Sequence, residues 1–495
     1  MKLNYTPYNI KLNSKDKFKV LKFEGIENFN RPYEYNIQII SSKSDLKLEE
    51  FLLTNVTLQM QSAINEKDKF NINGIIKSIK TKGFFLDEYI YEIALVSSIW
   101  KLNLQQSSKV YLDISIVDII KECMKKNGFN EKLDYDIKLS QDYGDIEFIC
   151  QYNETDLNFL NRWLESYGIY YYFENSSTKD KVIFTDDKTY QKNIKNSSLE
   201  HSDIDHQLNS KKDINISKFD LIHSAVFKSF EKNDYDGTIK DISKNISSKN
   251  QYEQNMQKRV YGGNPNIQKS FPSNEKFIQM EQQRIEAYKY HIQSQSTVIS
   301  MHIGGTFDVK SKFTNINGKY LIKKLIHKGD QTQLLKDKNT KKEDKIYENY
   351  FEAIPYETQY RPQKTTPIPK VNGVLNATID AKDKKTPLVD KIGRYKVLLP
   401  FDTLEKNDGK ASIPVRVVQP SASNEKSGMH FKLLKDDEVI LAFKEGDIDR
   451  PIIIGAVNNA SKVSSMDGWK RKDSSIELDD DIMVVKTPRK IEIIG

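Results

Sequence analysis

The sequence predicts a mainly β protein with α+β insertions and a C-terminal barrel of the oligonucleotide/oligosaccharide-binding (OB) type. Three observations predict this class. Runs rich in β-branched and aromatic residues fill the first hundred positions, two helical patterns follow them, and short strand-like runs resume after a proline-bearing stretch near residue 360.

The first hundred residues have the composition of antiparallel strands. The runs FKVLKFEG, YEYNIQIIS, NVTLQMQS and EYIYEIALVSSIW are separated by polar or glycine-bearing breaks. Such spacing is typical of a barrel or a sandwich. We therefore expect a first β domain over residues 1–105.

Two helices are predicted next, in an insert over residues 106–167. Ser115 is placed to cap the first helix and Gly128 to end it, and its apolar face comprises Ile116, Ile119, Ile120 and Cys123. Asn153 or Thr155 is placed to cap the second helix, and Gly168 to end it. The apolar stripe of the second helix comprises Leu157, Leu160, Trp163, Leu164 and Tyr167.

Strand composition returns directly after Gly168, in IYYYFE and KVIFTDD, which predicts that a second β domain opens there. Helical spacing of apolar residues predicts a third helix over 274–292, with Phe277, Met280, Ile285, Tyr288 and Ile292 on one face. The stretch YETQYRPQKTTPIPK, at 356–370, carries three prolines and little core-forming material, so it is predicted to be a linker. The second β domain with its long loops and linker then covers 168–370.

Residues 371–460 are predicted to form the small barrel. GRYKVLLPFD, IPVRVVQPSA, HFKLLKDDEVILAF and PIIIGAVNN are short strands spaced as in a Greek-key barrel of the OB type. A turn in EGDIDRPIIIG joins the last two, and its motif residues are Glu445, Gly446, Asp447, Asp449, Arg450 and Pro451.

The sequence predicts a structural role for most residues of this turn. Gly446 is suited to the positive φ of a tight turn, and Pro451 to the first position of a strand. Asp447 and Asp449 are expected to accept bonds from nearby backbone N–H groups, with Arg450 neutralising both. The motif therefore predicts a rigid hairpin corner.

Composition and charge exclude several classes of function. The net charge of +7 is a small difference between 76 basic and 69 acidic residues, so no strong field draws the whole molecule to nucleic acid. We find no apolar run near 18 residues and no signal-peptide core at the N-terminus, so we expect a chain that starts in the cytoplasm. Two cysteines, Cys123 and Cys150, do not support a disulfide framework and are expected to be reduced packing residues.

Motifs for catalysis or metal binding are absent from the sequence. FTNINGKY fails the phosphate-loop pattern at Phe313 and Tyr320, and neither H-E-x-x-H nor G-x-S-x-G occurs. His201 and His206 could ligate a metal with Asp203 or Asp205, but the sequence favours a solvated loop over a metal site there. The acidic run 479–481 lacks the ordered oxygen spacing of a calcium loop. We predict no catalytic, cofactor-binding or metal-binding residues.

The turn EGDIDRPIIIGAVNN resembles the corresponding signature of the VgrG family, the spike proteins of type VI secretion systems, and of relatives in contractile phage baseplates and extracellular injection machines. GRYKVLLPFD, which begins at Gly393 and Arg394, and VRVVQPSAS look like the start of the same barrel. A second block of the family is similar to residues 151–173, with matches at Gln151, Tyr152, Glu154, Asp156, Phe159, Arg162, Glu165, Gly168, Ile169, Tyr171 and Phe173. The likeness covers residues 1 to about 460.

The resemblance implies a homotrimer in which each chain contributes two hub β-barrels, so that six barrels seat on a hexameric tube protein of the Hcp type. It further implies baseplate partners, a PAAR-type tip cap or effector, and transient contact with a target membrane. Such a spike is non-enzymatic, needs no cofactor, is assembled in the cytoplasm and is then expelled by contraction. A phage-tail or extracellular-injection spike is the alternative within this class.

The tail, residues 461–495, alternates apolar and polar positions at Ile476, Leu478, Ile482, Val484, Ile491 and Ile493. A strand pair this short cannot bury such a face alone, whereas three copies around one axis could. We therefore expect the start of a trimeric β-prism needle, either blunt and short or continued beyond this sequence. A terminal hairpin folded back on the barrel is the alternative.

A different class of function stays open for the OB-type barrel, which could bind nucleic acid or sugar. Clustered aromatic and basic residues would be needed for that. Tyr395, Phe401, His430 and Phe431 supply some of them, although packing explains these side chains as readily. An undetected hydrolase is the remaining alternative.

Overall fold

The computed structural model describes residues 7–14, 16–62, 68–201, 215–227, 229–233, 257–261, 271, 274–336, 346–402, 408–421 and 431–462. The predicted mainly β fold with α+β insertions, β barrels and an OB-type barrel is confirmed. The predicted needle residues, Ile476 to Ile493, lie outside the described residues.

Six strands form the first barrel, and they are β1 (Tyr8–Leu12), β2 (Lys19–Asn28), β3 (Glu34–Ser41), β4 (Asn55–Gln61), β5 (Lys69–Phe85) and β6 (Glu88–Val96). They pair in the order β1-β4-β5-β6-β3-β2. Buried positions alternate with more exposed ones along β4, as a strand with one face in the core requires. The buried face includes Val56, Leu58 and Met60.

The seam between β1 and β2 is bridged by a side chain from much later in the sequence. Gln331, which is 1% exposed, donates from Nε2 to the carbonyl oxygens of Tyr8 (3.1 Å) and Val20 (2.6 Å). Its Oε1 accepts from the backbone N–H of Tyr8 at 3.1 Å. The amide of Gln331 therefore satisfies backbone groups at this seam that would otherwise be buried without partners.

The insert consists of β7 (Gln106–Ser115), α1 (Ile116–Lys126), β8 (Tyr135–Lys138), β9 (Asp145–Thr155), α2 (Asp156–Tyr167), β10 (Tyr170–Asn175) and β11 (Asp180–Thr185). Both predicted helices are confirmed. Ser115 Oγ accepts from the N–H of Asp118 at the start of α1, and Thr155, rather than Asn153, caps α2. Gly168 ends α2 with φ +71°.

The boundary predicted at 168 falls inside the insert. β10 pairs with β11, and β11 pairs in parallel with β8, so these two strands form a three-stranded sheet with the insert and do not open the second barrel. Composition identified both as strands, but β8, the second partner of β11, lies about 45 residues earlier, and local composition does not encode pairing. We propose a limit near residue 190 in place of 168.

The second barrel is a complete ring of hydrogen-bonded strands: β12 (Lys192–His201), β13 (Asn215–His223), β16 (Tyr290–Ser296), β19 (Tyr347–Pro355), β18 (Gly318–Asp330) and β17 (Gly305–Lys310). A parallel pair, β14 (Ser229–Asn233) and β15 (Gln257–Tyr261), and two helices, α3 (Asn274–Glu286) and α4 (Thr332–Lys336), accompany it. The prediction that α3 reaches 292 is wrong. Ile292 belongs to β16, because pairing with strands on both sides overrides its helical spacing.

One strand, β18, is shared by both barrels. Its first part, Gly318–Leu321, pairs with β17 of the second barrel, and its second part, Lys324–Asp330, pairs with β2 of the first. β19 follows its other edge along nearly the whole length. The two barrels are therefore joined by continuous backbone hydrogen bonding.

The C-terminal barrel is closed by five strands, β20 (Leu375–Asp380), β21 (Arg394–Leu398), β22 (Val415–Val417), β23 (Glu438–Phe443) and β24 (Pro451–Val457). They pair in the order β20-β21-β22-β24-β23. Its core also receives Val110, Phe148 and Cys150 from the β7–β9 ribbon of the insert. The barrel is thus seated on the insert through a common apolar core.

Candidate functional site

The acidic turn between β23 and β24 forms a tight corner. Glu445 has φ +57° and Gly446 has φ +75°. Gly446 adopts the left-handed conformation predicted for it, which the absence of Cβ permits. Glu445 adopts it as well, which the sequence did not indicate. Pro451 is the first residue of β24 and pairs with Phe443.

The two aspartates of the turn have different partners. Asp447 Oδ1 accepts from the backbone N–H of Asp449 at 3.0 Å, a local bond of the predicted kind. Asp449 leaves the turn, and its Oδ1 accepts from the N–H of Cys150 on β9 at 2.7 Å. Its Oδ2 lies 3.6 Å from Nη1 of Arg162 on α2. The prediction of a local bond for Asp449 is therefore wrong, because this residue links the barrel to the insert.

Arg450 was predicted to neutralise Asp449, and this prediction is also wrong. Arg450 Nη1 lies 3.7 Å from Oε1 of Glu445, whereas Arg162 contacts Asp449. The turn's own pattern cannot show this, because α2 brings Arg162 in from nearly 290 positions earlier.

Arg162 is the centre of a buried charged cluster. It is 6% exposed, and its Nε and Nη2 donate to Glu154 at 2.9 and 2.8 Å. Nη2 also donates to the carbonyl oxygen of Cys150 at 2.9 Å. We call Glu154, Arg162, Asp447 and Asp449 the junction cluster. It unites the two sequence blocks that carry the family resemblance.

The junction cluster holds more carboxylates than its guanidinium can neutralise. Burial raises the pKa of Asp449 to about 7, with Arg162 opposing the rise and Asp447 adding to it. Burial also raises the pKa of Asp447, against Arg162 and Arg450, and that of Glu154, against Arg162. Burial disfavours the charge of Arg162, but Asp449 and Glu154 outweigh it and raise its pKa.

A second carboxylate of α2 holds the predicted linker. Glu165 is 2% exposed, and its Oε2 accepts from the backbone N–H groups of Thr365 and Thr366, each at 2.9 Å. Its Oε1 accepts from Thr366 Oγ1 at 2.8 Å and lies 3.3 Å from Arg31 Nη2. The linker is therefore fastened to the insert.

Two arginines fasten the same segment from other sides. Arg284 on α3 donates from Nε to the carbonyl oxygen of Pro362 at 2.7 Å and from Nη2 to that of Glu165 at 2.6 Å. Arg361 Nη1 donates to the carbonyl oxygen of Gly168 at 3.0 Å. The insert, linker and C-terminal barrel thus meet around α2, and this meeting of elements is the candidate site.

Replacing Glu165 with glutamine is expected to loosen the linker by about 1–2 kcal/mol, because an amide nitrogen would then face backbone donors. Tryptic cleavage after Lys364 should accelerate by about 5- to 30-fold. Glu174→Gln, which removes one member of a partly exposed pair with Lys192, is the matched control and should change the cleavage rate little. An unchanged rate in Glu165→Gln would show that Glu165 does not hold the linker.

The remaining predicted site residues lie elsewhere or outside the described residues. Gly393, with φ +76°, precedes Arg394 at the start of β21, and Arg394 Nε donates to Asp390 Oδ2 at 2.6 Å. This pair stabilises a turn of the C-terminal barrel. Glu154, Arg162 and Glu165 were named in the family block but received no role. The signal that could have identified their roles is the presence of charged side chains within and beside the apolar pattern of α2.

The alternative metal site receives no support from the described part of the chain. His201 Nδ1 lies 3.0 Å from Ser311 Oγ, while Asp203, Asp205 and His206 fall outside it. No group of three His, Cys, Asp or Glu side chains gathers there in a metal-binding arrangement. Cys123 and Cys150 are both buried. In the same ranges, no helix has the length and apolar composition needed to span a membrane.

The architecture defines a class of protein: two β barrels fused through one strand, an α/β insert, and a closed OB-type barrel locked onto that insert. Residues 26–333 match the model of the phage tail baseplate hub (GPD) family. Residues 385–457 match the type VI secretion system/phage-baseplate injector OB domain. The chain belongs to the phage tail baseplate hub family, and the resemblance found from the motifs is confirmed.

Curated relatives extend this likeness to most of the chain. Type VI secretion system spike protein VgrG1b of Pseudomonas aeruginosa is 24% identical over 454 residues, covering 89% of this chain and 58% of the relative. VgrG3 of Vibrio cholerae is 25% identical over 441 residues, covering 87% and 42%. The chain thus spans about half the length of these relatives.

A solved structure shows the same fold. The c3393 protein of E. coli, described as a component of the type VI secretion system with structural similarity to the T4 bacteriophage tail proteins gp27 and gp5, aligns with a TM-score of 0.64 at 21% identity. The alignment covers 91% of this chain and 99% of that one.

Proposed function

We propose that the chain is a non-enzymatic hub and spike of a contractile injection machine of the type VI kind, and that it works as a homotrimer. The family and the type VI relatives support the class of machine. The observation that supports the proposed trimer is the exposed apolar surface on the C-terminal barrel.

Several large apolar side chains of the C-terminal barrel and its flanking segments are exposed, namely Val374, Val389, Ile392, Val418, Phe431, Ile454 and Val457. Val418, 54% exposed, and Ile454, 44% exposed, lie on neighbouring chain segments, because the N–H of Val418 donates to the carbonyl oxygen of Ile453. Exposed apolar clusters of this kind mark surfaces that another chain covers. Two further copies of the chain, packed around one axis, would cover these side chains. The three chains would then continue directly into the predicted needle.

The paired barrels support the proposed seat on a tube. Each chain carries two barrels joined through β18, so three chains supply six barrels, the number needed to match a hexameric Hcp-type ring. Continuous strand pairing and the junction cluster give the rigidity that a pushed spike requires. Baseplate proteins, a PAAR-type tip cap or effector, and a target membrane are the other proposed partners, with export by contraction.

The contacts of Tyr395 and Phe401 weigh against the nucleic-acid or sugar-binding alternative, whereas Phe431 is 49% exposed. Tyr395 is fully buried, and the ring of Phe401 packs against Tyr152 of the insert at 5.8 Å. Neither ring is free to stack on a base. His430 lies outside the described residues.

Light scattering of the purified full chain tests the trimer. We expect three times the 57.5 kDa of one chain at micromolar concentration, and dissociation in a Val418→Asp, Ile454→Asp double variant. Leu133→Asp, at an exposed position on the insert, is the control and should stay trimeric. Ending the chain after residue 462 separates the contribution of the predicted needle from that of the barrel. A folded monomer of the unmodified chain would overturn the proposal.

A further inference from the structure

The junction cluster lies where the C-terminal barrel packs on the insert. Buried charged side chains and a shared apolar core meet at this contact, which we call the seat of the barrel. Asp449 reaches across it from the barrel, and Glu154 and Arg162 reach it from the insert. Asp449 is 4% exposed, Glu154 7% and Arg162 6%. Separation of the barrel from the insert must therefore carry Asp449 from this cluster into water.

Charge is unbalanced at this seat. Glu154 occupies Nε and Nη2 of Arg162 with hydrogen bonds, which leaves Asp449 the longer 3.6 Å contact with Nη1. Asp447 adds a third carboxylate within the same turn. The titratable and charged groups around Asp449 are Cys150, Glu154 and Arg162 of the insert, Asp402 of the barrel, exposed Lys370 of the linker, and Lys444, Glu445, Asp447 and Arg450 of the turn.

We propose that this seat is a proton-controlled latch, in which Asp449 takes up a proton as the C-terminal barrel docks on the insert, so that docking tightens as the pH falls from 7 to 5. A protonated Asp449 keeps its bond from the Cys150 N–H through Oδ1. Because protonation removes the negative charge of Asp449, Glu154 remains as the main partner of Arg162. The latch concerns a single chain and does not depend on the trimer.

The direction of the pH effect follows from the two states of Asp449. Its ordinary pKa of 3.8 applies when the barrel is released, and burial raises the docked pKa to about 7. Between these values the docked state holds a proton that the released state lacks, so docking loses strength as the pH rises. The equilibrium constant for opening should therefore rise about tenfold from pH 5 to 6 and about fivefold from pH 6 to 7, and level off above that range.

Cys150 provides a local probe of opening. Its thiol is buried in the core that the insert shares with the barrel, so its reaction requires that this core opens. We would measure the rate of its reaction with 4,4′-dithiodipyridine between pH 5 and 8, in a full chain whose other thiol is removed by Cys123→Ala. Dividing each rate by that of the urea-unfolded chain at the same pH removes the pH dependence of the thiol itself.

Two carboxylates allow a matched comparison. Asp449→Asn should reduce the pH dependence of the opening constant to the smaller contribution of Asp447 and Glu154, because the amide mimics the protonated state. Asp390→Asn alters another ion-paired aspartate of the same barrel, away from the cluster, and should leave the slope intact. A flat profile in the parent chain, or an unchanged slope in Asp449→Asn, would overturn the latch. Should Asp449→Asn fold poorly, a steep slope that flattens in Glu154→Gln supports the latch, and one that persists there opposes it.

Discussion

Replacing Arg162 with methionine is expected to lower the free energy of unfolding by about 3–5 kcal/mol, the range measured when one partner of a buried ion pair is removed. The loss should be large because two buried carboxylates depend on one guanidinium. Glu154 would lose its paired hydrogen bonds, and Asp449 its nearest positive charge. Methionine matches the length of the aliphatic part, so the change in packing is small.

Trp163 reports on this change, since the guanidinium of Arg162 lies 5.2 Å from its ring. Urea unfolding would be followed by its fluorescence, with Trp100 and Trp469 replaced by phenylalanine. Lys19→Met, which removes a lysine that pairs with Glu88 at the surface, is the control and should cost below about 1 kcal/mol. Equal costs for the two variants would contradict a central role for Arg162.

Gly168→Ala is expected to lower the free energy of unfolding by about 2–5 kcal/mol. Two effects add. Gly168 has φ +71°, and a side chain there pays about 1–2 kcal/mol for the left-handed conformation. A Cβ would also lie 2.6 Å from Sδ of Met280 and 3.1 Å from Cδ of Arg361, and overpacking of this kind typically costs about 1–3 kcal/mol.

Gly128→Ala separates the two effects. Gly128 follows α1 with φ +81°, yet no atom lies within 4 Å of the position its Cβ would take. That variant should therefore show the conformational cost alone. Comparing urea midpoints of the two variants gives the contribution of close packing, and truncation by Met280→Ala should restore part of the loss in Gly168→Ala. No difference between the two glycines would show that α3 can move aside.

Much of the fold could be predicted because its signals are local. The caps Ser115 and Thr155, the terminal Gly168, and the alternation along β4 each act within a few residues. The turn geometry at Gly446 and Pro451 followed for the same reason. These features depend on backbone sterics and on hydrogen bonds to near neighbours.

The features that could not be predicted all depend on distant partners. β10 and β11 show strand composition, but only the folded chain reveals that β11 pairs with β8 and so joins both strands to the insert. Ile292 fits a helix until β13 and β19 enclose it.

The site was only partly predictable for a similar reason. Asp449 and Cys150 are 299 positions apart, so the turn's own sequence could suggest only a neighbour, Arg450, as the counter-charge. The second block did contain the correct arginine. A buried arginine in an apolar helix requires an acidic partner, and that requirement was the usable clue.

The strand shared by the two barrels has a consequence for biosynthesis. An emerging chain exposes the edge of β2 until β18 leaves the ribosome, and the gap beside β1 stays unsealed until Gln331 follows. Roughly the first 330 residues must therefore be translated before the amino-terminal barrel can mature. Such late closure favours slow folding and intermolecular strand pairing in the meantime. The backbone pairing that joins the two barrels therefore also delays completion of the first one.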